Sequence, residues 1–214
     1  ELDGDYRDAT LKVTAAVDFG RGRAGQVRLA LLDPKGRAVA IEPGAIPLTA
    51  DGPQATVEIP VTAPLKWDAE HPNLSTLQAS LEIEGRTAET IAKQIGFRTI
   101  EVVGNRLLVN GQEVKLRGVN RHDIYPLTGR AVTPALVEQD IRLFRDANIN
   151  FIRTSHYPPR EDMLECCDRY GIYVENEIAV AFVNRQIQPT QNNPGLTAHY
   201  VNQFAEMIER DRSH

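Results

Sequence analysis

The stretch "NINFIRTSHYPPREDMLECCDRYGIYVENE", residues 148–177, contains a complete strand–helix–strand pattern. Near its start, INFI is a short apolar run typical of a buried strand that exits into RTSHYPP, and IYV predicts another strand that exits into ENE. Between them Pro159 marks the start of a predicted helix, and Gly171 is typical of a helix C-terminus. The apolar side of this helix carries Met163, Leu164, Cys167 and Tyr170. Strands joined through a helix run parallel with a right-handed crossover, so the stretch predicts a parallel sheet covered by helices.

The same alternation extends to both sides of this stretch. Upstream, Thr133 and Pro134 predict a helix N-cap and first helical residue, with Asn148 near its end, and "VKLRG" at 114–118 predicts a further strand. Downstream, a helix from about residue 198 is predicted to bury Val201, Phe204, Met207 and Ile208. Three βα units do not close a barrel and leave an open sheet edge. We therefore expect the chain to be a fragment of a protein that continues past its last residue.

Residues 1–97 predict a different architecture, built from short strands and turns. The strand candidates are "ATLKVTAAV", "QVRLALLD", "ATVEIPV" and "TLQASLEIEG", and turn signals such as "DPKG" at 33–36 and "EPGAIP" at 42–47 lie between them. A further turn, "NGQE" at 110–113, predicts a hairpin. Trp67 is interpreted as a packing aromatic. The fold class is therefore multidomain β plus α/β: an immunoglobulin-like β-sandwich over 1–97, then an α/β segment over 98–214.

Composition excludes several classes of function. The 214 residues carry a formal net charge of -5 with mixed signs and no basic stripe, so nucleic acid is a poor partner. No apolar run reaches membrane-spanning length, so no membrane association is expected. The two cysteines, Cys166 and Cys167, are adjacent and predict packing rather than a disulfide framework. The compartment is unknown, with the bacterial cytoplasm or periplasm as the expectation.

Polar side chains follow each of the three predicted parallel strands. They are Asn120, Arg121, His122 and Asp123 after the first strand, Arg153, Ser155, His156 and Tyr157 after the second, and Glu175, Asn176 and Glu177 after the third. Because parallel strands end at one edge of a sheet, these groups are expected to line one cleft, which suits a ligand rich in hydroxyls. Each also has a structural interpretation: Arg153 could pair with Glu175 or Glu177 beneath the site. A metal centre is disfavoured because no close ligand spacing is present.

Three long motifs resemble a known family. "LRGVNRHDIYPLTGR", "DIRLFRDANINFIRTSHYPP" and "CDRYGIYVENE" are similar to the glycoside hydrolases of family 2, most like their β-galactosidase members. "WDAEHPNLSTLQASLEIEG" followed by "IGFRTIEV" resembles the sandwich domain that precedes the catalytic barrel there. The resemblance implies that residues 98–214 are the first part of a (β/α)₈ TIM barrel. It also implies a retaining exo-glycosidase that hydrolyses terminal β-galactosides with two carboxyl groups.

The resemblance also implies roles for individual residues. His122 and His156 would bind sugar hydroxyls and the transition state. The residues expected to orient the site are Asn120, Asp123, Arg153 and Glu177. The family's acid/base glutamate lies in a Trp-Ser-x-Gly-Asn-Glu type motif soon after a run like "RDRSH", and its nucleophile lies much further on. We therefore expect both catalytic glutamates after His214, no catalytic residue in this chain, and an isolated chain that is inactive.

Several alternatives stay open at this level. No cofactor is expected, because the magnesium-binding Glu and His of some relatives have no counterpart in "IAVAFVN" at 178–184. The sugar partner could instead be a glucuronide, as in the β-glucuronidases of the same family. A non-catalytic carbohydrate-binding module is the hypothesis from a different class. Self-association through the exposed edge of the barrel sheet is a further hypothesis, since open edges pair readily.

Overall fold

The computed structural model describes residues 1–18, 24–49, 51–180 and 194–214. The described residues form two compact units, Glu1–Val114 and Lys115–His214. The predicted division between residues 97 and 98 stays a prediction. The strands of the first unit are β1 (Ala9–Ala16), β2 (Ala24–Leu32), β3 (Ala38–Val39), β4 (Ala45–Thr49), β5 (Gln54–Val61), β6 (Ser75–Ile83), β7 (Arg86–Ile95), β8 (Ile100–Val103), β9 (Arg106–Val109) and β10 (Gln112–Glu113).

The first unit is a β-sandwich. One sheet has the order β3-β2-β6-β7, with β4 also paired to β2, and a second sheet pairs β1 with β5 in antiparallel register. Along β2, buried Val27, Leu29 and Leu31 alternate with more exposed residues, as the two-residue period of a strand requires. These side chains meet Ile59 and Val61 of the other sheet in one apolar core. The architecture is the predicted sandwich.

Three details of the first unit test the sequence patterns. "DPKG" forms the predicted turn, closed by the Gly36 amide donating to the Asp33 carbonyl at 2.8 Å. "EPGAIP" was expected to be a turn, but its second half begins β4, because Ile46 is fully buried in the core. Strand β7 was not predicted. Nearly all its side chains are exposed, so it lacks the apolar alternation that marks a half-buried strand.

The second unit is a parallel three-stranded sheet with helices. Its elements are β11 (Gly118–Arg121), α1 (Pro134–Asp146), β12 (Phe151–Thr154), α2 (Glu161–Tyr170), β13 (Tyr173–Glu175) and α3 (Thr197–Asp211). The sheet order is β11-β12-β13, and both pairings are parallel. The predicted alternation of strands and helices is therefore confirmed. Strands β11 and β13 are the edges of the described sheet, and self-association through such an edge stays a prediction.

Local capping chemistry explains where the first two helices begin and end. Thr133 Oγ1 accepts a hydrogen bond from the Leu136 amide at 3.4 Å, which makes it the N-cap of α1. Gly171 ends α2 in the left-handed region at φ 68°, where a glycine has no steric cost. Helix α2 begins at Glu161 rather than at Pro159, with Arg160 as its N-cap.

Helices α1 and α2 cover one face of the parallel sheet. Their shared core contains Val137, Ile141, Ile152 and Met163 together with both cysteines. Cys166 and Cys167 are free and buried, and burial raises the pKa of the Cys167 thiol well above its usual range. Both cysteines therefore act as packing residues, as predicted.

The ends of the parallel strands differ from the sequence prediction. The first barrel strand is Gly118–Arg121 rather than 114–118, and β12 extends through Thr154. Asn120, Arg153 and Glu175 therefore lie on strands and not in the loops that follow them. The core-facing positions of the three strands are Val119, Ile152 and Val174. Because side chains alternate along a strand, Asn120, Arg153 and Glu175 lie on the opposite face.

Helix α3 buries less apolar surface than its pattern predicts. Met207 is buried, but Val201, Phe204 and Ile208 are 60%, 51% and 46% exposed. The helix follows β13, which is an edge strand of the described sheet, so no further described strand lies beyond it to cover these side chains. The prediction that four residues of this helix are buried is therefore confirmed for Met207 and wrong for Val201, Phe204 and Ile208.

Replacing Gly118 with alanine should destabilise the second unit by about 1–3 kcal/mol. A Cβ at this position would collide with the Phe151 ring and lie 3.0 Å from the Phe151 carbonyl oxygen on the neighbouring strand. Denaturant unfolding of the G118A variant measures the loss. G4A is the matched control, since a Cβ at Gly4 meets nothing within 4 Å. Equal stability of the two variants would contradict the close approach of β11 and β12.

Candidate functional site

A row of three polar residues crosses the sheet on the face opposite the helix-covered core. The strand register places Asn120 opposite Arg153, and Arg153 opposite Glu175. Arg153 Nη1 lies 3.5 Å from Asn120 Oδ1, and Arg153 Nε lies 3.8 Å from Glu175 Oε1. The row therefore follows from strand pairing, with one amide, one guanidinium and one carboxylate side by side.

Glu177 connects this row to the loop after β12. Arg153 Nε donates to Glu177 Oε1 at 2.5 Å, and a second guanidinium nitrogen, Nη2, pairs with the same oxygen. The other carboxylate oxygen, Oε2, lies 3.1 Å from His156 Nδ1. All three side chains are only partly buried, so they lie at the boundary between the protein and solvent. A shared carboxylate thus holds both Arg153 and His156.

The two histidines are neighbours, although they come from different strand ends. The rings of His122 and His156 lie 5.4 Å apart at an interplanar angle of 75°, and the His122 ring is 5.9 Å from that of Tyr157. The Asp123 amide donates to the Tyr157 hydroxyl at 2.9 Å, and the Arg130 guanidinium lies 4.4 Å from the centre of the Tyr157 ring. Tyr157 therefore ties the loop that carries His122 to the loop that carries His156.

Asp123 lies apart from the row of Asn120, Arg153 and Glu175. Its carboxylate pairs with the guanidinium of Arg121, which is 5% exposed and also contacts Asp140 at 3.0 Å. Arg121 Nη1 lies 3.5 Å from the sulfur of Met163 in the core of the unit. The Asp123 carboxylate thus pairs with Arg121 beneath the site. Its backbone amide instead contacts the Tyr157 hydroxyl, and so the loop that carries His156.

The site combines donors and acceptors suited to hydroxyl groups. Imidazole, guanidinium and amide nitrogens lie beside carboxylate oxygens within one partly buried patch. Within the described ranges, no three His, Cys, Asp or Glu side chains are grouped as metal ligands. Residues 181–184 of the "IAVAFVN" run lie outside the described residues. Among the helices described, none is long and apolar enough to cross a membrane.

Three residues form a hydrogen-bonded group beneath the site, and two of them, Thr154 and Asp211, were not among the residues predicted to line the cleft. The hydroxyl of Thr154 accepts from the Glu177 amide at 3.0 Å and donates to Asn176 Oδ1 at 3.3 Å. Asn176 Nδ2 donates to Asp211 Oδ2 at 2.5 Å. Thr154 follows Arg153 directly on β12, so period-two alternation indicates only that it faces away from the row of Asn120, Arg153 and Glu175. The contact with Asp211 has no local sequence signal.

Two family models match nearly the whole chain. One, described as "Glycosyl hydrolases family 2, TIM barrel domain", matches residues 100–214, and the other, "Glycosyl hydrolases family 2", matches residues 1–98. These matches correspond to the parallel sheet with its helices and to the sandwich. The predicted resemblance and the predicted fold class, a sandwich followed by part of a TIM barrel, are thereby confirmed.

Curated relatives support the same family. A β-galactosidase of Aeromonas hydrophila is 34% identical over 100% of this chain and 21% of its own length. A β-galactosidase of Halalkalibacterium halodurans is 32% identical over 100% of the chain and 22% of its own length. This chain therefore spans about a fifth of the length of the curated relatives that it matches.

Solved structures share the fold. A β-glucuronidase of Bifidobacterium dentium, solved with coumarin-3-O-glucuronide, matches 100% of this chain and 34% of its own with a TM-score of 0.83 and 27% identity. A β-glucuronidase of Parabacteroides merdae, with glycerol in its active site, has a TM-score of 0.84 at 24% identity, covering 100% of this chain and 26% of its own. On the strength of both family models, the chain belongs to the glycosyl hydrolases of family 2.

Proposed function

We propose that this chain forms the sandwich and the opening barrel strands of a retaining exo-glycosidase that hydrolyses terminal β-galactosides. The observation that carries the proposal is the grouping of Arg153, His156 and Glu177 beside His122 at the ends of the parallel strands. In parallel α/β folds this end of the sheet is where ligands bind. The choice of a galactoside follows the curated relatives, which are named β-galactosidases.

In this proposal the residues of the chain bind and orient the sugar. His122 and His156 contact sugar hydroxyls, and Arg153, held by Glu177, braces the site. Hydrogen bonds to the sugar that strengthen as the ring gains positive charge lower the barrier to bond cleavage. Glu177 is not proposed as the acid or the nucleophile, because both its oxygens already pair with Arg153 and His156. Both catalytic carboxyls are proposed to lie in sequence after residue 214.

A β-glucuronidase is the second candidate, because the solved structures described above are β-glucuronidases. A glucuronide carries a carboxylate that needs a cationic partner in the site. Arg153, the guanidinium of the row, already pairs with Glu177 and lies 3.8 Å from Glu175. Its charge is therefore largely neutralised, which favours a neutral sugar such as galactose over a uronate at this position.

Hydrolysis assays test the proposal. A longer protein that carries this chain is expected to cleave nitrophenyl β-galactoside with a kcat/KM at least about tenfold above that for the glucuronide. NMR of the reaction should detect the β-anomer of galactose first, because a retaining mechanism proceeds through a covalent intermediate. The 214-residue chain assayed in parallel is expected to show no turnover.

The other outcomes discriminate between the alternatives. Preferred cleavage of the glucuronide would support the second candidate. Binding of galactosides without cleavage by the longer protein would indicate a non-catalytic carbohydrate-binding module. Turnover by the 214-residue chain itself would contradict the assignment of the catalytic carboxyls to sequence outside it.

A further inference from the structure

We propose that Asp211, the last residue of α3, is a positioning residue for the sugar site and acts on Glu177 through Asn176 and Thr154. The inference rests on the proposed function for the meaning of the site, and on the described contacts for the coupling itself. Asp211 is 35 residues from Asn176 in sequence, yet their side chains meet. The four residues define a chain of hydrogen bonds that we call the Asp211 relay.

The direction of each hydrogen bond in the relay follows from the one before it. A carboxylate only accepts, so Asp211 Oδ2 requires the NH₂ group of Asn176, which donates at 2.5 Å. The Asn176 carbonyl oxygen then lies toward Thr154, whose hydroxyl donates to it at 3.3 Å. With its proton used in this way, Thr154 Oγ1 presents lone pairs to the Glu177 amide, which donates at 3.0 Å. Asp211 thus determines the orientation of each group in turn.

Burial makes the relay more than a surface contact. Thr154 is 3% exposed and the Asp211 side chain 9% exposed, so water competes weakly for these hydrogen bonds. Arg210 donates to both oxygens of Asp211, at 2.5 and 2.7 Å, and this pairing raises the pKa of Arg210. Arg210 Nη2 also donates to the Pro159 carbonyl at 3.0 Å. The end of α3 is therefore bound to the loops after both β12 and β13.

The relay ends at Glu177, whose carboxylate contacts the two side chains proposed to face the sugar, Arg153 and His156. Its last hydrogen bond fixes the backbone of Glu177, while the Glu177 carboxylate contacts Arg153 and His156. Contact of a carboxylate with His156 Nδ1 favours the tautomer that carries its proton on that nitrogen. A displaced Glu177 would therefore change the His156 tautomer as well as the position of Arg153.

The first experiment reads the His156 ring by ¹⁵N NMR in the 214-residue chain, with no need for activity. D211L and T154V are each expected to shift protons from Nδ1 toward Nε2 of His156, and the double variant should shift them no further, because both break one relay. T154S is expected to keep the wild-type tautomer, because Ser retains the hydroxyl.

The control is T133V, which removes the N-cap bond of α1 and so lowers stability without contacting the relay. It should leave the His156 tautomer unchanged. If D211L lowers stability but leaves the His156 ring signals as in the wild type, Asp211 merely fastens α3 and the proposal is overturned. If D211L does not fold, the His156 tautomer of T154V is compared with that of T154S. This comparison tests the proposal, because valine has nearly the same shape as threonine but lacks the hydroxyl. An unchanged tautomer in T154V overturns the proposal as well.

The second experiment measures kinetics in a longer protein that cleaves the galactoside. T154V should lower kcat/KM by about tenfold, mainly through kcat, and T154S should restore most of it. An equal loss of kcat/KM in T133V would show that the loss in T154V comes from lowered stability, and it would overturn the proposal. Absence of any glycosidase activity would count against the proposed function only, because the tautomer measurement tests the relay independently.

Discussion

Replacing Arg121 with methionine is expected to lower the free energy of unfolding of the second unit by about 3–5 kcal/mol. The Arg121 guanidinium is 5% exposed and pairs with Asp123, whose side chain is 11% exposed. Methionine packs well beside Met163 but leaves the Asp123 carboxylate buried without its cation. An unpaired buried charge costs far more than the loss of the pair itself. Denaturant unfolding followed by circular dichroism measures the change.

Two further variants separate this mechanism from a general effect of removing arginine. R142M removes an arginine of the same unit whose partner, Glu138, forms an exposed i,i+4 ion pair, and should cost less than about 1 kcal/mol. The double variant R121M/D123L removes both buried charges and should regain much of the lost stability. A double variant as unstable as R121M would contradict the unpaired charge as the cause.

In the proposed glycosidase, replacing Glu177 with glutamine is expected to reduce kcat/KM of the longer protein by about 100-fold or more. The carboxylate accepts from Arg153 Nε and lies 3.1 Å from His156 Nδ1. Glutamine has one acceptor oxygen and an NH₂ group, so it cannot accept from both partners at once. Arg153 would also lose the neutralising charge beside it. Both ligand-side groups would then leave their binding positions, and small displacements of this kind are costly in catalysis.

The matched control is E165Q, the same substitution at an exposed position on α2, which should leave kcat/KM unchanged. E175Q is expected to fall between the two, since its carboxylate is 3.8 Å from Arg153 and more exposed than that of Glu177. Steady-state assays on the galactoside give all three values. A loss in E177Q no greater than in E165Q would show that Arg153 and His156 do not depend on this carboxylate.

Local chemistry made much of the second unit predictable from sequence. Thr133 and Gly171 mark helix ends because their effects, a side-chain cap and a left-handed backbone, depend on adjacent residues only. Apolar periodicity likewise indicated β12 and β13. The grouping of polar residues at strand ends followed from parallel topology, which brings Arg153, His156 and Glu177 together as expected.

Other features depend on tertiary contacts that no local pattern contains. The end of a strand is decided by which residues pair with a neighbour, so Asn120 and Arg153 were expected in loops but lie in β11 and β12. Strand β7 is held by pairing with β6 and not by burial of an apolar face. The bond between Asn176 and Asp211 joins elements far apart in sequence. Such contacts become visible only once the fold is known.

Asn120 and Arg121 are neighbours in sequence, yet they belong to different layers of the protein. Asn120 lies in the polar row with Arg153, while Arg121 lies among Asp123, Asp140 and the apolar core. One strand end therefore contributes to the proposed sugar site on one face and to the buried ion pairs on the other. Under the proposed function, variation at the open face would alter which sugar is accepted while the buried ion pairs stay intact. In that proposal, substitutions at Asn120 would change sugar selectivity, whereas substitutions at Arg121 would change stability.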